Sequence, residues 1–82
     1  MPNRKIVTAK LIKHKTDDGL VEMKDDIPLG KIYEVDLNSI QTGHGFNMVK
    51  RIKWEREVIY AKDGNEWLWF PTELLDIWGN KQ

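Results

Sequence analysis

Cysteine is missing altogether from this chain of 82 residues. That excludes a disulfide framework, a thiolate zinc site and a cysteine nucleophile. A reducing compartment suits the absence, and the cytoplasm is the expected location. Neither sign of charge is in excess, because thirteen basic and thirteen acidic side chains cancel. Nucleic-acid-binding modules usually carry a basic surplus that displaces counterions from phosphates. A nucleic-acid partner is therefore less expected than a protein partner. Zero net charge also lowers the colloidal barrier to self-association, which leaves a homodimer open. No apolar run approaches the ~18 residues of a membrane-spanning helix. Met1 to Lys10 lacks the apolar stretch of a signal peptide. No membrane partner is expected.

Histidine is scarce as well. His14 and His44 are the only two, thirty residues apart. A metal site needs three or four converging ligands, so no metal and no cofactor is expected. Asp17-Asp18 and Asp25-Asp26 lack the alternating spacing of a calcium loop. They read as turn residues whose carboxylates bond their own backbone. Gly43-x-Gly45 has no following helix start or lysine motif, so it is not a phosphate loop. No nucleophile–base pair can be assembled, and the expected class is non-enzymatic.

What the chain does have is aromatic bulk beside a hairpin signal, in Lys62-Asp-Gly-Asn-Glu-Trp-Leu-Trp-Phe-Pro-Thr-Glu-Leu-Leu75. Asp63-Gly64 suits the centre of a two-residue turn. Trp67, Leu68, Trp69 and Phe70 follow it, and Pro71 stops the strand. With that turn Tyr60 faces Trp67, Val58 faces Trp69 and Ile59 faces Leu68.

Elsewhere Ile6 to Ile12 alternates as a strand, with Val7, Ala9 and Leu11 on one face. Lys13 to Asp26 reads as a long irregular hairpin loop. Ile27-Pro28-Leu29-Gly30 is a turn, and Lys31 to Asp36 alternates again. Leu37 to Gly45 reads as loop, and Phe46 to Trp54 as a strand rather than a helix. Together, residues 37–54 look like a variable insertion. Arg56 to Ala61 and Glu66 to Phe70 form the hairpin. A 3₁₀ turn is expected near Thr72 to Leu75, a last short strand at Asp76 to Trp78, and a tail over 79–82. About five strands and no long helix predict one all-β domain, a small antiparallel barrel over 1–82.

Two motifs then carry a resemblance. Pro28-Leu29-Gly30-Lys31-Ile32-Tyr33-Glu34-Val35 is similar to the entry into the second strand of the SH3-like β-barrel family. Trp69-Phe70-Pro71 with Leu74-Leu75 is similar to that fold's aromatic, proline and 3₁₀ ending. The chain, from about Val7 to Ile77, resembles the small stand-alone SH3-like proteins of Gram-positive bacteria and their phages. Peptide-binding members place tyrosines where this chain has Ala9, Leu11 and Ile12. Their 3₁₀ tyrosine is replaced here by Leu74 or Leu75, while Pro71 stands at the matching proline. The resemblance implies an SH3-like barrel and, by context, a phage or prophage accessory protein acting on a host protein.

The candidate site is the aromatic set. If Ile59, Leu68 and Phe70 point inward, Tyr60, Trp67 and Trp69 project outward together. An exposed apolar face of that kind marks an interface. Tyr60, Trp67, Trp69, Trp54 and Pro71 are the expected protein-binding residues. Two other readings stay open: residues 46–54 or Trp78 could fold over that face as a second small core, or the tryptophans could seal a homodimer. The alternative function is nucleic-acid binding through Lys50, Arg51, Lys53 and Arg56, with Trp54 stacking a base.

Overall fold

The computed structural model describes residues 4–23 and 26–78. The tail at 79–82 and the Asp25 half of Asp25-Asp26 lie outside the described residues. Five strands and one 3₁₀ turn follow in chain order: β1 (Ile6–Leu11), β2 (Ile32–Asn47), β3 (Ile52–Asp63), β4 (Glu66–Pro71), the 3₁₀ turn (Thr72–Leu74) and β5 (Leu75–Ile77). They form one antiparallel sheet in the order β4-β3-β2-β1-β5. The fold is all-β, as the alternation predicts.

The topology forces curvature. β4 and β5 sit at opposite edges of the sheet, yet only Thr72–Leu74 joins them. Four interstrand steps would make a flat sheet ~19 Å wide, whereas three 3₁₀ residues rise only ~6 Å. The sheet therefore coils until the turn bridges its two edges. The Ile12 amide donates to the Leu74 carbonyl at 2.9 Å and pins the turn across the end of β1.

The interior face collects Ala9, Leu11, Tyr33, Val35, Ile59, Ala61, Phe70, Leu74 and Leu75. Val7, Ala9 and Leu11 face inward from β1, as their alternation requires. Tyr33 meets Phe70 edge to face, with ring centroids 5.0 Å apart. Leu68 shares that face opposite Ala61. It is nevertheless 38% exposed, because β4 is an edge strand with no neighbour to cover it. That corrects the expectation of a buried Leu68.

The β3–β4 turn also differs from expectation. Its central residues are Gly64 and Asn65, so Tyr60 pairs with Trp69 and Ile59 with Phe70. Only Gly64, at φ 65°, takes the left-handed region, as a turn needing positive φ at its first central residue demands. Asp63 stays in the strand, where Lys31 Nζ reaches its carboxylate at 3.3 Å.

Leu37–Gly45 is strand rather than loop, the largest difference from the sequence reading. β2 and β3 run on together as a long ribbon to a turn at Met48–Arg51, which divides the expected Phe46 to Trp54 strand between the two. The register shifts between Asp36 and Gln41. Side chains fill the interrupted ladder: Asp36 Oδ1 accepts from the amides of Lys5 and Asn38, at 3.1 and 3.0 Å. Ser39 Oγ donates to the Asp36 carbonyl at 2.6 Å and accepts from the Tyr60 amide at 2.9 Å. Small polar residues that suggest a loop here serve to organise a bulge.

Candidate functional site

Residues directly opposite in a ladder share a face. β3 and β4 thus carry Tyr60 with Trp69, and Lys62 with Trp67, on the outer side of the sheet. The Tyr60 and Trp69 rings stack, with centroids 3.6 Å apart and planes 21° from parallel. Trp67 meets Tyr60 at an angle, 6.4 Å away. The Arg4 guanidinium sits 4.7 Å from the Trp67 ring, a cation–π contact that half-covers this indole. Trp69 remains 42% exposed.

Trp54 joins this face from the ribbon. It pairs with Gly45, and a Cβ built on Gly45 would fall 2.2 Å from the indole. A Cβ on Gly43 would fall 2.9 Å from a Val58 methyl. The two glycines let large side chains lie across the β2 backbone. The result is an open groove of about 300 Å³. Val58 and Gly43 line it between Trp54 and Trp69, with Gln41, Thr42 and His44 adding polar groups. Pro71 is buried opposite Val58 and offers little surface. Trp78 follows β5, its amide donating to the Thr8 carbonyl at 3.2 Å and its ring 6.0 Å from the Lys10 ammonium, and it does not line the groove.

The basic cluster is divided. Arg56 bonds the Asp18 carboxylate and, at 3.1 Å, that of Glu73, tying the loop after β1 to the 3₁₀ turn. Asp18 also accepts from Thr16 Oγ1 at 2.7 Å and the Leu20 amide at 3.0 Å. The Thr16 hydroxyl first, then the Leu20 amide and Arg56, hold its carboxyl down at about 2. The Asp17 amide donates to Glu73 at 2.6 Å. Lys50, Arg51 and Lys53 remain exposed at the far end of the ribbon.

The histidines have separate surroundings. His14 Nε2 donates to the Ile27 carbonyl at 2.5 Å and closes the base of the loop after β1. His44 is exposed, 3.8 Å from Glu55. Among the described residues no three His, Asp or Glu side chains converge as metal ligands.

Gln41, Thr42, Gly43 and Val58 line the groove although none is among the expected binding residues. Their signal is glycine at alternate positions of one strand, Gly43 and Gly45. That spacing marks one strand face with no side chains, where a bulky neighbour settles. Comparison with known proteins finds no matching family, curated protein or solved structure.

Proposed function

We propose that this protein is a non-enzymatic binding module whose groove between Trp54 and Trp69 receives a segment of another protein. The outward-facing Tyr60–Trp69 stack carries the reading. A stacked pair exposed at an edge strand is already ordered, so little side-chain entropy is lost when a partner covers it. Tyr and Trp are also the side chains that dominate interface energetics. Gly43 exposes backbone in the groove, and Gln41, Thr42 and His44 add hydrogen-bonding groups for register.

The strand order, the 3₁₀ ending and the two sequence motifs support an SH3-like barrel. On that resemblance the protein acts as a phage or prophage accessory protein on a cytoplasmic host protein. The nucleic-acid reading loses Arg56 to its two carboxylates, which weakens it.

The test compares capture of a defined host protein by the wild type and by Trp69→Ala. Specific capture lost in Trp69→Ala, with cooperative unfolding kept, supports the reading. Equal capture by both proteins overturns it. Light scattering first establishes whether the partner is a second copy. A titration with single- and double-stranded oligonucleotides at two salt concentrations tests the alternative.

A further inference from the structure

The β2–β3 ribbon ends in an apex that the groove does not use. Met48 and Val49 are 77% and 92% exposed there. Phe46, two residues before Met48, is about half exposed. From Phe46 to Lys53 the chain carries three cations, Lys50, Arg51 and Lys53, and no carboxylate. All three are exposed.

This apex is built rather than slack. Asn47 Oδ1 accepts from the Lys50 amide at 2.8 Å, and the Asn47 carbonyl accepts from the Arg51 amide at 2.7 Å. Asn47 Nδ2 donates to the Leu20 carbonyl at 2.9 Å, bracing the ribbon against the loop after β1. Arg51 holds φ at 58°, unfavourable for a residue with a Cβ. The outcome is a braced turn with Met48 and Val49 at its tip and three cations beside them, the Lys50 ammonium lying against Gly19 of the loop after β1.

We infer that this apex is a contact site for an anionic lipid surface, with Met48 and Val49 entering the headgroup layer and Lys50, Arg51 and Lys53 meeting lipid phosphates and carboxylates. Apolar insertion combined with local positive charge is the chemistry of peripheral membrane attachment. It needs neither a spanning segment nor a net positive chain, so neither the lack of a long apolar run nor the zero net charge bears on it. Charge along the ribbon favours a bilayer over nucleic acid. Below the apex the stem exposes Glu55 and Glu57. A ribbon lying in a nucleic-acid groove would press those carboxylates against phosphates, whereas a planar surface touches the apex alone. The inference stands apart from the groove and from whatever the groove binds.

The absence of native cysteine gives a clean test. Val49→Cys and, at the opposite hairpin, Asn65→Cys are each labelled with an environment-sensitive dye. Both are mixed with phosphatidylserine–phosphatidylcholine vesicles and with phosphatidylcholine vesicles. The expected result is a blue shift at position 49 on anionic vesicles alone. Co-sedimentation of the unlabelled protein should fall at least tenfold in Lys50→Glu/Arg51→Glu, whose thermal unfolding is checked in parallel. No shift at 49, or an equal shift at 65, overturns the proposal. So does oligonucleotide binding that depends on Lys50 and Arg51 when vesicle binding is absent, which would assign the apex to nucleic acid.

Discussion

Trp54 lies so close over Gly45 that a methyl group at position 45 would overlap the indole, 2.2 Å from its nearest atom. Gly43 stands in the same relation to Val58, at 2.9 Å. The two contacts differ in what can yield. Trp54 is half-buried and can swing outward, whereas Val58 is buried. Gly43→Ala should therefore cost more stability, within the ~1–3 kcal/mol of overpacked sites, and Gly45→Ala less. Partner capture should respond in the opposite order, because Gly45→Ala displaces a groove wall. Urea denaturation beside a binding assay checks both, and equal effects on both measures would refute the assignment of Trp54.

Phe70 and Trp69 are neighbours in sequence on opposite faces of β4. Phe70 is 2% exposed and packs on Tyr33. Phe70→Ala should cost ~3–5 kcal/mol, a large share of a small domain's stability. Trp69→Ala should cost less, ~1–3 kcal/mol, from its aromatic stack together with the part of the indole that is buried. Equilibrium unfolding of the two variants separates them. Comparable losses would place Trp69 in the core and remove the groove's outer wall.

Much of this was legible in the sequence, and the reason is periodicity. The expected turn was displaced by one residue along the chain, so every cross-strand partner in the hairpin moved by two. Side chains alternate with a period of two, so the face assignments survived although the partners did not. Tyr60, Trp67 and Trp69 still project together, but the stack joins Tyr60 to Trp69. The ribbon was less legible. Asn38, Ser39, Gly43 and Gly45 have low strand propensity, and only tertiary contacts explain them: a bulge bonded by Asp36 and Ser39, and bare backbone under Trp54 and Val58. Along the chain Arg56 groups with its basic neighbours. Its partners, Asp18 and Glu73, come from distant segments that only the folded sheet brings to it.

Two turns make opposite demands at positive φ. A Cβ on Gly64 would meet nothing within 4 Å, so any cost of Gly64→Ala comes from its φ of 65° alone. That cost should be ~1–2 kcal/mol. Arg51, with φ 58°, already bears such a penalty, and Arg51→Gly should stabilise by up to ~1 kcal/mol. Thermal unfolding of both variants measures the pair. A destabilised Arg51→Gly would mean that the Arg51 side chain makes a compensating contact.

Acid should loosen the loop after β1 before it opens the sheet. The Asp18 carboxyl is held at about 2, below its ordinary 3.8, by the Thr16 hydroxyl first and then by the Leu20 amide and Arg56. A depressed carboxyl contributes stability that is fully present above its unfolded value and disappears as pH falls through its folded value. The loss therefore runs from about pH 4 to about pH 2. Asp18→Asn keeps an acceptor for the hydroxyl and amide but removes the charge that Arg56 meets. It should lower stability at neutral pH and leave a flatter acid limb than the wild type. Amide exchange at Val21, whose N–H donates to Thr16 Oγ1 at 3.2 Å, should quicken in the variant at neutral pH and in the wild type only under acid. Parallel acid limbs for the two proteins would show that Asp18 is not the group that titrates.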